Sequence, residues 1–400
     1  MGSCAQCVLA INAGSSSVKF AVYARGDPSR RREQGSIDRI GAPGTRFRHG
    51  TGHDAQEREL GTLAREDVAD FLIDWLAKRC GLDTLLAAGH RVAHGGPNHV
   101  DPQRVTDDVL DELHRISIYA PEHVPFELAL IERFRERAPK LEHVVCFDTA
   151  FHRRMPLTAR LLPLPRRLYR QGVERYGFHG LSYAFLMEEL DRVAGADAAR
   201  GRVILAHLGN GASLAAVRDG KSVDTSMAFT PTAGVPMSNR SGDLDPGLVL
   251  YLARHEGMSA EQFHRMVNHE SGLLGVSETS SDVRDLLDRE CGDVRAAEAL
   301  AMFCYHVTKW IGAFSAALGG VDTLVFAGGI GENAPVIRER ICERLGFLGI
   351  ELDAGRNAAG ASVVSCDAVR AVVRVIRTDE EIMIAKAVER VLAGAAGAGA

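Results

Sequence analysis

The sequence predicts an α/β fold built from two similar halves. Three observations carry this. The 400 residues exceed the roughly 250–300 at which a single hydrophobic core stops growing. Short apolar runs of strand length alternate with longer stretches whose apolar residues recur every three or four positions, the pattern of strands interleaved with helices. A strand, small-residue turn and strand occur near the start and again half a chain later, at residues 8–23 and 203–217, which points to an internal duplication.

In chain order, residues 8–12 and 18–23 flank Gly14-Ser-Ser-Ser17 and read as a hairpin. Residues 25–34 are polar and Arg-rich and read as a solvated loop. Residues 66–79 have helical spacing, and two more helices are expected at about 107–118 and 125–138. Residues 85–88, continuing at 91–93, and 144–147 read as buried strands. The second hairpin is 203–207 and 214–217 around a turn of small residues. Helices follow from Asp245-Pro246 to about Arg254 and over 296–318. Residues 324–333 read as a strand and a Gly-rich turn, followed by a helix over 335–346. Thr378-x-x-Glu381 reads as a capping box for a helix to about Leu392, with an unstructured Gly/Ala tail behind it.

Composition narrows the function. Hydrophobic residues at 46% and charged residues at 25% are globular averages and exclude fibrous and disordered classes. No run reaches the ~18 apolar residues of a membrane span. The start MGSCAQCVLA lacks a basic segment before a long apolar run, against a secretory signal, and Gln6 stands where myristoylation wants Ser or Thr. Net charge is −5, and only six of 47 basic residues are Lys. The Arg excess in an Ala- and Gly-rich chain reads as compositional bias, and no basic stripe with aromatics marks a nucleic-acid surface. Eight scattered cysteines, several inside apolar runs, read as reduced thiols in a cytoplasmic protein. Cys4 and Cys7 form the one close pair, without a second pair to complete a zinc site.

Gly-rich turns after strands, at 12–17, 209–213 and 328–333, let backbone amides approach a phosphate. One such turn means little; three point to a nucleotide. None fits the P-loop or the dinucleotide fingerprint. GHRVAHGG at 89–96 and RYGFHG at 175–180 put arginine and histidine beside glycine, which suits a grip on carboxylate or phosphate, although structural pairing with carbonyls explains either alone. Arg240 lies in a polar, glycine-containing loop, and Asp148 ends a strand, where sites of α/β folds gather.

Ile11-Asn-Ala-Gly-Ser-Ser-Ser-Val-Lys-Phe20, and Asp224-Thr-Ser-Met-Ala-Phe-Thr-Pro231 with Arg240-Ser-Gly-Asp-Leu-Asp-Pro246, resemble the two signatures of acetate kinases. GHRVAHGG, FDTAFH, RYGFHG, HLGNG, SSDVRD, GGIGEN and TDEE follow in the family's order. The resemblance covers essentially the whole chain. It implies a duplicated ββαβα fold, ribonuclease-H-like and actin-like, of the acetate and sugar kinase, heat-shock cognate and actin superfamily. The implied domains are 1–150 plus 380–400 (acyl and metal side) and 151–379 (nucleotide and dimerisation side), with ATP in the cleft between them. The implied reaction is reversible phosphoryl transfer from ATP to acetate, giving ADP and acetyl phosphate, with Mg2+ or Mn2+, in a homodimer.

Role by role, the resemblance assigns metal placement to Asn12 and Glu380. Phosphate binding falls to Lys19, His207, Leu208, Gly209, Asn210 and Gly211. The adenosine pocket falls to Asp282, Val283, Arg284, Gly329, Ile330, Gly331, Glu332 and Asn333. Catalysis falls to Arg91, Asp148, His179 and Arg240, and the acyl site to Arg91, Ala93, Glu122, Phe178 and Pro231. The chemistry agrees: a carboxylate acceptor is already ionised near pH 7, so the difficulty is bringing two anions together. Cationic groups answer that, and Asp148 suits orienting Mg2+ or an arginine better than accepting a proton. The chain departs from the family at Ala93 (commonly Val), Glu122 (commonly hydrophobic), Leu181 (commonly Thr) and Met237-Ser-Asn239 (commonly Met-Gly-Thr). Ala93 and Glu122 leave a propionate or butyrate kinase as the alternative. A non-catalytic ATP-driven switch is the rival of another class, and it has no use for RVAHGG and RYGFHG.

Overall fold

A computed structural model of the chain describes residues 6–14, 16–50 and 54–397, with side chains through 394. Residues 1–5, which include Cys4 and the start of the stretch read for targeting signals, and the last three residues of the Gly/Ala tail lie outside the described residues.

In chain order the elements are β1 Cys7–Ala13, β2 Ser17–Ala24, β3 Asp27–Asp38, β4 Arg46–His49, β5 Gln56–Glu59, α1 Val68–Arg79, β6 Leu85–Val92, β7 Gln103–Arg104, α2 Asp107–Arg115, α3 Val124–Arg137 and β8 Glu142–Phe147. There follow α4 Leu157–Arg160, α5 Arg166–Arg170, α6 Gly180–Ala194, α7 Ala196–Arg200, β9 Val203–Leu208, β10 Ala212–Arg218 and β11 Lys221–Thr225. The remainder are α8 Gly247–His255, α9 Ala260–His269, α10 Gly272–Ser277, α11 Val283–Arg289, α12 Val294–Leu318, β12 Thr323–Ala327, α13 Gly328–Asn333, α14 Pro335–Cys342, α15 Ala354–Ala358, β13 Val372–Val375 and α16 Glu380–Gly397. They divide into two compact units: residues up to 150 with those from 379 onward, and residues 151–378.

In the first unit the sheet order is β5-β4-β3-β2-β1-β6-β8-β7. The β1–β2 and β2–β3 pairs are antiparallel, and β1–β6 and β6–β8 are parallel. Leu9 and Ile11 of β1 pack with Leu72 and Leu76 of α1 and with Phe134 of α3. Side chains alternate across a strand, so Val8, Ala10 and Asn12 point to the other face. Gly89 of β6 shows why α16 lies so close: a Cβ there would stand 2.5 Å from Ile384 and Val388. That approach sets the start of α16 beside the end of β1.

The second unit repeats the topology in the order β11-β10-β9-β12-β13. Again there are two antiparallel pairs followed by two parallel ones. The long α12 covers one face with Ala299, Phe303, Val307 and Phe314 packed against Leu214, Leu324 and Phe326. On the other face α6 adds Tyr183, Leu186 and Leu190 against Val203, Leu205 and Val325. The shared five-strand order bears out the α/β duplication.

Four expectations are corrected. The Arg-rich stretch read as a loop forms most of β3, because pairing with β2 needs only its backbone. The Gly-rich stretch after β12 is the short helix α13, not a turn. Gly328, at φ +77° with a Cβ position 2.6 Å from the Leu208 carbonyl, turns the chain. The Glu332 carboxylate then accepts from the Gly328 N–H at 3.0 Å. The Thr378–Glu381 capping box is absent: Asp379 caps α16 by accepting from the Ile382 N–H at 3.1 Å. The Gly/Ala tail continues α16 to Gly397, since alanine is the strongest helix former.

Candidate functional site

The parallel strands β1, β6 and β8 end together, and their carboxyl ends gather the first group. Arg91, the penultimate residue of β6, donates from Nε and Nη2 to Asp148 Oδ2 at 3.0 and 2.7 Å. Its Nη1 donates to the Ala13 carbonyl at 2.7 Å and to Glu127 Oε1 at 2.8 Å. Asp148 is held just past β8 by its own N–H on the Val92 carbonyl, at 3.0 Å. Asn12 Nδ2 donates to Glu380 Oε2 at 2.8 Å and to Glu381 Oε1 at 2.9 Å, joining the two ends of the chain. Glu381 is therefore not spent on the helix terminus. Lys19 stands opposite Asn12 in the hairpin register, on the same face, with an exposed side chain.

Carboxylates outnumber cations here. Burial pushes the Glu380 carboxyl up to about 7, helped by the Asp148 charge and opposed by Arg91. Burial also lifts Glu127 to about 7 against the pull of Arg91. Arg91 itself is held above its ordinary value: burial works against its charge, but Asp148, Glu127 and Glu380 outweigh it. Such a pocket stores negative charge that a cation relieves.

The oxygens fit a hard cation. Asp148 Oδ1 is buried and has no hydrogen-bond partner, and the double donation from Asn12 Nδ2 leaves its Oδ1 for a ligand. No group of three His, Cys, Asp or Glu side chains among the described residues closes on a metal. Mg2+ tolerates this, because it takes one or two protein oxygens and keeps several waters.

The second unit gathers the other group. His179 takes a left-handed conformation, φ 59°, just before α6. Its Nδ1 lies 2.9 Å from Ser213 Oγ, and its ring stacks on His207 at 4.4 Å. His207 Nδ1 lies 2.8 Å from Ser182 Oγ, which in turn is 2.7 Å from Thr378 Oγ1. Gly211 is where His179 and Arg240 converge: a Cβ there would stand 3.4 Å from His179 Nε2 and 3.7 Å from Arg240 Nη1. Arg240 Nη1 donates to the Pro231 carbonyl at 3.2 Å. A Cβ on Gly209 would lie 3.8 Å from the Gly329 nitrogen, so the β9–β10 turn faces the start of α13. Asn210 is tied to Ser238, whose N–H donates to its carbonyl at 3.3 Å.

Other residues stand apart from these groups. Leu208, Val283 and Phe178 belong to the hydrophobic core. Asp282 caps α11 and pairs with the exposed Arg284 at 2.6 Å. Ala93 is buried just past β6, and Glu122 is half-buried before α3. Sequence reading missed Glu127, which sits inside a helix whose acidic residues otherwise read as solvated. It also missed the fully buried Arg338, which holds the end of α13 by donating to the Gly331 and Glu332 carbonyls at 2.8 and 3.0 Å.

The sequence model described as the Acetokinase family matches residues 7–386. An acetate kinase from Methylocella silvestris is 42% identical over 398 residues, 95% of this chain and 96% of its own. A propionate kinase from Escherichia fergusonii is 40% identical over 389 residues, 96% of each. The crystal structure of a propionate kinase from Francisella tularensis superposes with a TM-score of 0.89 at 34% identity, covering 96% of this chain and 98% of that one.

Proposed function

The chain belongs to the acetokinase family and transfers a phosphoryl group from ATP to the carboxylate of acetate; we propose that the transfer is reversible, depends on Mg2+ and uses the residue groups just described. The observation that carries this reading is the Arg91–Asp148 pair at the strand ends, next to the Asn12–Glu380 contact. In-line transfer between two anions needs positive charge and fixed geometry far more than a base.

Arg91 takes the acceptor carboxylate, and Asp148 fixes the direction of its guanidinium. Asn12 and Glu380 would hold Mg2+, with Asp148 Oδ1 as a further ligand oxygen. When bound, Mg2+ supplies positive charge to the phosphate oxygens. His179 and Arg240 stabilise the charge on the group in transfer. Gly211, lacking a side chain, leaves them room. The β9–β10 turn and α13 offer backbone amides to the phosphates and adenosine of ATP, with Asp282 and Arg284 at the adenosine edge.

The first unit's part of the acyl wall is Ala93 and Glu122. The small Ala93 is the one feature that favours propionate as a second acceptor. The homodimer reading is supported by α8, which has no buried residue and exposes Leu248, Val249, Leu250 and Tyr251. A second copy of the chain covers it in this reading. Among the described residues no helix is long and apolar enough to cross a membrane.

Hydroxylamine trapping of the acyl phosphate tests the reading, with ATP, Mg2+ and each of formate, acetate, propionate and butyrate. Acetate should give the largest kcat/KM. No trapped product with any acid would remove the reading.

A further inference from the structure

Glu127 has a double attachment that nothing so far explains. It lies in the first turn of α3, only 2% exposed. Its Oε1 accepts from Arg91 Nη1 at 2.8 Å, and its Oε2 accepts from the backbone N–H of Ala93 at 2.8 Å. Ala93 lies just beyond β6, so Glu127 supplies the acceptor that a neighbouring strand supplies elsewhere. One side chain thus ties together the guanidinium and the backbone two residues further on.

The chemistry needs a carboxylate. Only an ionised carboxyl offers two oxygens that both accept without bringing a hydrogen of their own. An amide of the same shape satisfies one partner and turns an N–H against the other. A buried donor left unpaired is costly. A buried acid beside an arginine is also an expensive arrangement that a helix interior does not need for its own stability.

We propose that Glu127 is a positioning residue for the acyl acceptor: it sets the Arg91 guanidinium and the Ala93 backbone as one unit, and so links carboxylate binding to acyl-chain discrimination. This rests on the reading of Arg91 as the carboxylate clamp and of Ala93 as part of the acyl wall. Glu127 acts through Arg91 and Ala93 and touches no reacting atom.

The test is a double-mutant cycle on the full-length enzyme with Mg2+ and ATP, comparing Glu127→Gln, Arg91→Ala and the double variant. Glu127→Gln should lower kcat/KM for acetate at least tenfold while leaving KM for ATP within twofold. It should also shift the acetate-to-propionate ratio by at least threefold. In the Arg91→Ala background the same change should alter kcat/KM for acetate less than twofold, because the group it acts through is gone. A structural role alone would move the melting temperature and leave the ratio and KM values of the folded enzyme alone. If Glu127→Gln does not fold, Glu127→Asp, which keeps both acceptors one methylene further back, carries the same expectations. Additive effects, or a shift in KM for ATP as large as that for acetate, overturn the proposal. If Arg91→Ala keeps near-normal turnover, the clamp reading itself fails. If Arg91→Ala collapses turnover and Glu127→Gln does not, only the role of Glu127 fails.

Discussion

Arg91 donates twice to a single oxygen of Asp148, Oδ2, and leaves Oδ1 buried without a partner. A bidentate pair normally uses both carboxylate oxygens. The asymmetric grip divides Asp148 between two tasks. One oxygen orients the arginine, and the other stays open for a cation or an ordered water. Neither task is proton transfer, which an ionised acceptor does not require.

If Arg91 and Arg240 clamp anions during transfer, Arg91→Ala and Arg240→Ala should each lower kcat/KM for acetate by about 10²-fold or more, the scale of losing one well-placed donor. KM for ATP should barely move. Steady-state kinetics with both substrates varied checks this, and loss of ATP binding in both variants would assign the arginines to the nucleotide instead.

Three adjacent acids at the start of α16 should separate by role. Glu380→Ala should raise the Mg2+ concentration needed for half-maximal rate. Asp379→Ala removes the helix cap and should cost about 1 kcal/mol of stability, with a nearly unchanged Mg2+ requirement. Glu381→Ala loses one Asn12 contact and should fall between the two. Mg2+ titrations paired with thermal melts read all three, and a reversed order for Glu380 and Asp379 contradicts the capping assignment.

Room at Ala93 should admit one more substrate carbon. A methylene in an apolar pocket is worth roughly 1–3 kcal/mol, so propionate should come within about tenfold of acetate in kcat/KM. Ala93→Val should widen that gap. A wild-type preference for acetate above about 100-fold, or no change in the variant, shows that residue 93 does not set pocket depth.

His90 and His143 form a buried pair, Nε2 to Nδ1 at 3.0 Å, and their remaining ring nitrogens have no partner. Burial lowers His143 to about 4 and His90 well below its ordinary value. Both stay neutral in the fold, while in the unfolded chain they take up protons below pH 6.5. Their contribution is therefore complete above pH 6.5 and is lost as pH falls toward 4. For His143 this amounts to roughly 3 kcal/mol. Glu127, raised to about 7, works in the opposite direction, so the comparison must be between variants. Urea melts at pH 7 and pH 4.5 should show the wild type losing stability relative to His143→Phe by about that amount. Parallel curves would exclude the pair as the cause.

The fold was legible where side chains and backbone give the same signal. Val8, Leu9 and Ile11 before a small-residue turn mark β1, and the same pattern marks β9. β3 was hidden because its arginines and its one glutamate read as a solvated loop, while the partner of its backbone lies in β2. α13 was hidden because glycines ordinarily end helices; here one glycine's positive φ, the Glu332 cap and the Arg338 guanidinium supply what the sequence withholds. At the site, arginines beside glycines and a strand-end aspartate were visible as candidates, and resemblance supplied their roles. Glu127 could not be seen, because nothing in a helical pattern distinguishes an acid facing water from one turned onto a buried arginine. The start of α16 was misread for a related reason: Asp379 and Glu381 both suit a cap, and only the placement of Asn12 decides between them.

The central claim is that phosphate leaves ATP for a carboxylate. Phosphorus NMR of the full-length enzyme with ATP, Mg2+ and acetate follows this directly. The account predicts that the γ-phosphate signal gives way to an acyl phosphate signal in step with ADP, and that ATP re-forms when acetyl phosphate and ADP are supplied instead. Inorganic phosphate as the first and only product, with no acyl phosphate in either direction, would contradict it.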